Sequence, residues 1–86
     1  MAGLNVSVVS AEREIWTGEA SQVVAKTVEG EIGILSGHEP MLALLAEGQV
    51  RVTTSGGEKI AVDAEGGFFS VDHDTVTIVA GKAAIV

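Results

Sequence analysis

An all-β domain, built as a β-sandwich or flattened barrel, is what this sequence predicts, on three observations. Short β-branched runs alternate with polar residues along nearly the whole chain, Gly, Asp, Glu or Ser bounds each run, and helical periodicity is scarce. About nine or ten short strands, spaced less than about twelve residues apart, fit that architecture.

The elements follow in order. Leu4, Val6 and Val8 alternate with Asn5, Ser7 and Val9, which gives a first strand with one buried face. In the segment Arg13 to Gly18, Ile15 and Trp16 supply bulk, and Gly18 admits a bend or bulge before the run Ser21 to Thr27. Val28, Glu29 and Gly30 read as a turn. A short strand from Glu31 to Leu35 then enters the loop Ser36, Gly37, His38, Glu39, Pro40, whose proline cannot donate to a central ladder. Met41 to Ala46 is rich in helix formers, but it is short and Gly48 ends it, so it is assigned as extended. From Gln49 to Thr54, Val50 and Val52 alternate with polar residues; Ser55, Gly56 and Gly57 supply a hairpin turn, and Ile60 and Val62 mark the returning strand. Phe68 and Phe69 are adjacent in a strand and must point to opposite faces, so both faces are expected to meet apolar surroundings. Asp72, His73 and Asp74 form a polar turn, Thr75 to Ala80 alternates Val76 and Ile78 with threonines, and Ala83 to Val86 is apolar.

With 86 residues the chain has room for one domain, spanning residues 1–86, and no separate catalytic lobe. Its 47% hydrophobic and 20% charged content argues against disorder. The absence of cysteine excludes a disulfide framework and thiolate metal sites. Twelve acidic against five basic residues give a formal charge of −7, which repels nucleic-acid backbones and anionic lipid and favours a basic partner. Met1 to Asn5 carries no signal-peptide pattern, and no apolar run approaches spanning length, so no direct membrane insertion is expected. Work at a membrane requires that something else hold the domain there.

Catalytic and metal readings find few parts. His73 lies between two aspartates at a hairpin tip, where consecutive side chains diverge, and reads as a solvated turn residue. His38 reads as a loop residue or an interface contact, since a metal site needs at least three convergent ligands. Ser36 with His38 does not form a nucleophile elbow, because the glycines at the elbow's spacing, Gly33 and Gly37, centre on Leu35. Gly81 and Lys82 fail as a phosphate loop, with Ala83 in place of Ser or Thr and Val76 in place of the earlier glycine. Glu29 and Glu31 read more readily as a solvated charge cluster than as an acid–base pair. No catalytic residue, cofactor site or metal site is expected.

The informative stretch runs Glu29, Gly30, Glu31, Ile32, Gly33, Ile34, Leu35, Ser36, Gly37, His38, Glu39, Pro40, Met41, Leu42. Three carboxylates flank a short apolar strand, and the loop after it ends in Met41 and Leu42, as a recognition edge would. This stretch resembles the pattern Gly-Glu-Ile-Gly-Ile-Leu-Pro-Gly-His-x-Pro-Leu-Leu of the epsilon subunits of F-type ATP synthases, with Ser36 for the usual proline and Met41 for the usual leucine. The resemblance extends over nearly all of the chain through Ser10-Ala11-Glu12, Trp16 with Gly18, and Gly66-Gly67-Phe68.

The resemblance implies a ten-stranded β-sandwich without the family's C-terminal helical hairpin, as a naturally short form or a shortened piece. It further implies a non-catalytic rotor subunit in the central stalk of a proton-translocating complex, peripheral on the cytoplasmic face of the bacterial plasma membrane. Its partners would be the gamma subunit and the c-ring, with Glu29, Gly30, Glu31 and Ile32 facing the c-ring and His38, Met41 and Leu42 facing gamma. The isolated chain would be able to pair with itself through the exposed gamma-facing side. An alternative class is a lipoyl or biotinyl carrier domain, an acidic β-sandwich of similar length, for which Lys59 is the candidate for modification; Ile60 and Val62 place that lysine in a strand already.

Overall fold

The structure is a computed structural model and describes residues 3–37 and 39–85; His38 lies outside the described residues. Nine strands account for most of the described chain: β1 (Leu4–Ser10), β2 (Glu14–Thr27), β3 (Gly30–Leu35), β4 (Met41–Leu44), β5 (Gly48–Thr54), β6 (Lys59–Glu65), β7 (Phe68–Asp72), β8 (Thr75–Ala80) and β9 (Lys82–Ile85). Hydrogen bonding runs β4-β7-β8-β1-β2-β5-β6-β9, with β3 also on β2. Among the described residues every pair is antiparallel except β1 with β8. The all-β expectation therefore holds, and Met41–Leu44 is extended because pairing with β7 outweighs the helix propensity of leucine and alanine.

Among the described residues the strands number nine rather than ten because Arg13 to Gly18 and Ser21 to Thr27, read as two segments, belong to one strand. The N-terminal part of β2 pairs with β1, and its C-terminal part pairs with β3 and β5. Between the parts lies an extra residue: Ala20 stands opposite Thr54, while Gln22 stands opposite Thr53. A one-residue bulge swaps the inward and outward positions of everything after it. Accordingly Ala20 is buried before the bulge, and Val23, Ala25 and Thr27 are buried after it. Gly18 is not the bend. It admits the ring of Trp16, whose Cζ2 would lie 2.8 Å from a Cβ at position 18.

The folded sheet closes on itself beside β4. Thr27 bridges to Leu45, the Val28 N–H donates to the Leu44 carbonyl at 3.0 Å, and the Ala46 N–H donates to the Lys26 carbonyl at 3.0 Å. Inside lies an apolar core in which Phe69 is the one aromatic side chain that is fully buried, and Leu4, Ile34, Ile78 and a set of valines complete it. Burial of each such side chain stabilises the fold by roughly 1.5–3 kcal/mol before entropy is counted.

Two turns set what lies outside that core. The β7–β8 connection is a two-residue hairpin between the paired Asp72 and Thr75, with His73 at φ 50° and Asp74 at φ 60°. Two consecutive positive φ values are the type I′ geometry, whose twist matches that of the strands. His73 is almost wholly exposed, as a solvated turn residue is, but its Nδ1 lies 2.7 Å from an Asp72 carboxylate oxygen, so these consecutive side chains meet rather than diverge. The β5–β6 loop, Ser55 to Glu58, carries Gly57 at φ 91°, and the Glu58 N–H donates to the Thr54 hydroxyl at 3.0 Å.

Candidate functional site

The β2–β3 turn presents the acidic part of the site. Thr27, only 7% exposed, fixes it from below: its hydroxyl donates to the Gly30 carbonyl at 2.7 Å and accepts the Glu29 N–H at 3.2 Å. Gly30 takes φ 130°, which a side chain rarely adopts, and this explains the glycine between the two glutamates. Glu29 and Glu31 are both exposed, with Glu31 opposite Lys26 across the β2–β3 pair. Ile32 is half-buried and packs on the core, so it anchors the turn rather than forming its outer surface.

Across an open groove of about 450 Å3 stands β4. The groove is lined by the segment 27–32 on one side and 41–44 on the other, which brings the predicted acidic turn and the predicted apolar strand together. The structure separates Met41 from Leu42, however. Met41 pairs with Val71 and packs on the core, whereas Leu42 is 71% exposed on the outer face. Strand alternation makes this unavoidable, because neighbours point to opposite sides.

Leu42 does not stand alone. Leu44 is 62% exposed beside it and faces Phe68, which is 39% exposed. Phe68 lies opposite Val79, and Val79 opposite Val9, so one row of apolar side chains crosses β4, β7, β8 and β1. The neighbouring row is Leu42, Ser70, Thr77 and Ser7. Neither row holds a charged residue, on a chain of formal charge −7. Depletion of charge around a group of exposed apolar side chains distinguishes an interface core from ordinary surface. Sequence reasoning missed Leu44, Val9 and Val79 as members of this face. The period-2 pattern carried the signal for each strand, but pairing of β1 with β8 in parallel, which joins the rows, has no local signature.

Chemistry finds no second centre. Lys59 is exposed at the start of β6 opposite Thr53, away from the Ser55–Gly57 tip that a modified carrier lysine would occupy. Among the described residues, no three His, Asp or Glu side chains are grouped to hold a metal ion, and no helix is long and apolar enough to cross a membrane.

The comparisons agree with one another. A model of the family described as "ATP synthase, Delta/Epsilon chain, beta-sandwich domain" matches residues 3–86. The chain is 59% identical over 85 residues to the ATP synthase epsilon chain of Micrococcus luteus, covering 99% of this chain and 93% of that protein. It is 50% identical over 84 residues to the epsilon chain of Rhodococcus opacus, covering 96% of this chain and 69% of that one. Among solved structures, a chain of the Euglena gracilis mitochondrial ATP synthase, determined with OSCP, F1 and c-ring, superposes with a TM-score of 0.92 at 29% identity, over 99% of this chain and 54% of that one. A chain from the central stalk and c-ring of the Tetrahymena thermophila mitochondrial enzyme shares the fold, with a TM-score of 0.75 at 19% identity over 93% of this chain and 64% of that one. The present chain thus spans about half of the Euglena chain and under two thirds of the Tetrahymena one.

Proposed function

The chain belongs to the delta/epsilon-chain β-sandwich family of ATP synthases, and from that premise we propose that it is a non-catalytic subunit of the rotor that docks on gamma and on the c-ring. Its partners hold it at the cytoplasmic face of the membrane, and it helps couple proton flow to ATP synthesis by turning with them. The observation that carries this reading is the uncharged double row on β4, β7, β8 and β1, where three of the six exposed large hydrophobic side chains among the described residues, Leu42, Leu44 and Phe68, stand together. That face is assigned to gamma, with Leu42, Leu44 and Phe68 at its centre. The β2–β3 turn is assigned to the c-ring, its Glu29 and Glu31 carboxylates aimed at basic loop groups, where complementary charge favours register and encounter rate.

The groove between them gives the two docking surfaces a common border, so a torque on one is passed to the other through β2 and the β2–β3 turn. The test is direct: the purified chain is mixed with gamma from the same source and the two are followed through size exclusion. Co-elution of one copy of each is expected. Separate elution, or self-association of this chain that gamma does not displace, would remove the gamma assignment.

A further inference from the structure

The exit from β3 is held from across the sheet by the side chain of Asp74. The Gly37 N–H donates to Oδ1 of Asp74 at 2.7 Å, and the Ser36 hydroxyl stands 3.4 Å from Oδ2 of the same carboxylate. Asp74 is itself fixed twice. It occupies the second positive-φ position of the type I′ turn, and its carbonyl accepts the Asn5 N–H at 2.8 Å at the start of β1. Gly37 has φ 86°, so the chain turns sharply at the point where the carboxylate grips it.

From this geometry we infer that Asp74 is a positioning residue for the docking surface: its carboxylate sets the direction in which the chain leaves β3 on its way to β4. The inference rests on the assignment of the β4 side to gamma. An N–H donating to an ionised carboxylate makes a stronger bond than a neutral pair, and this one bridges elements far apart in sequence. The grip from Asp74 supplies restraint on Ser36 and Gly37 in the folded state. A segment ordered before a partner arrives loses less entropy on binding than one ordered during it.

Two substitutions separate the carboxylate from the turn. Asp74→Gly keeps the positive φ and removes the acceptor, whereas Asp74→Asn keeps both the φ and an Oδ1 acceptor. In the free chain, Asp74→Gly is expected to speed amide hydrogen exchange at Gly37 about tenfold while amides within β8 keep their rates, and Asp74→Asn, which keeps a neutral acceptor in place of the carboxylate, to fall between that variant and the unaltered chain. Affinity for gamma should fall roughly three- to tenfold in Asp74→Gly and recover in part in Asp74→Asn. Unchanged exchange at Gly37 in Asp74→Gly would overturn the grip itself. Faster exchange with unchanged gamma affinity would overturn the positioning role while the gamma assignment stands. If the unaltered chain does not bind gamma at all, the assignment fails and the positioning role fails with it, even where the exchange result identifies the carboxylate as the holder of the loop.

Discussion

Gly67 lies against the main chain of Val79 so closely that a Cβ on it would sit 1.9 Å from the Val79 carbonyl oxygen and 2.8 Å from the Ala80 Cα. Both obstacles are backbone of a core strand, so neither can swing away. Gly67 also holds φ 97°. Gly67→Ala is therefore expected to cost about 3 kcal/mol or more, the sum of a clash and a strained dihedral. Gly66 provides the comparison, since it has φ 70° but open space where a Cβ would stand. Gly66→Ala should cost only about 1–2 kcal/mol, from the dihedral alone. Urea denaturation of both variants measures the difference, and equal losses would refute the close approach.

Phe68 and Phe69 are sequence neighbours with opposite duties. Phe69 is fully buried, so Phe69→Ala leaves a cavity and is expected to destabilise by about 3–5 kcal/mol. That is a large share of the roughly 4–13 kcal/mol typical of a domain this long. Phe68 keeps 39% of its surface open, so Phe68→Ala should cost clearly less, about 1–2 kcal/mol, and weaken capture by gamma. A stability loss at Phe68 comparable to that at Phe69 would mean that the outer face is structural.

How much of this was legible beforehand follows from where the information sits. Turns carry it locally: Ser55-Gly56-Gly57 and Asp72-His73-Asp74 announce their hairpins, and the alternation of Leu4, Val6 and Val8 announces a buried face. Gly18 invites a bulge in the sequence, but the extra residue after Ala20 is inserted by the register against β5, a contact more than thirty residues away in sequence. Met41 and Leu42 read in the sequence as one apolar contact, although period-2 alternation requires them to part. Which of the two faces outward depends on the phase of β4 against β7, and that is a tertiary fact. The grip of Asp74 on Gly37 had no local signal at all.

The opposite orientations of Met41 and Leu42 allow a paired test on β4. Leu42→Asp places a charge on an exposed position and should leave the unfolding midpoint nearly unchanged while reducing gamma capture at least tenfold, as expected for a residue near the centre of an interface. Met41→Asp places a carboxylate against the core and should instead lower stability by several kcal/mol. Thermal melts beside a gamma pull-down separate the two outcomes. A Leu42→Asp chain that folds and still binds gamma normally would move the contact elsewhere.

Charge reversal on the β2–β3 turn tests the remaining surface. Glu29 and Glu31 are exposed, so their attraction to basic groups on a c-ring loop acts through water and salt screens it. Glu29→Lys with Glu31→Lys should weaken binding to the detergent-solubilised c-ring roughly tenfold at low ionic strength, from two reversed exposed charges. The gap should narrow as sodium chloride rises toward 1 M, where the screening length falls to about 3 Å. One control is needed, because Glu31→Lys also sets a lysine opposite Lys26, a like-charge pair across strands that costs a few tenths of a kcal/mol on its own. Glu29→Lys alone avoids that pair and should retain a smaller effect with the same salt dependence. Affinities that differ equally at every salt concentration would show that these carboxylates do not meet the c-ring through charge.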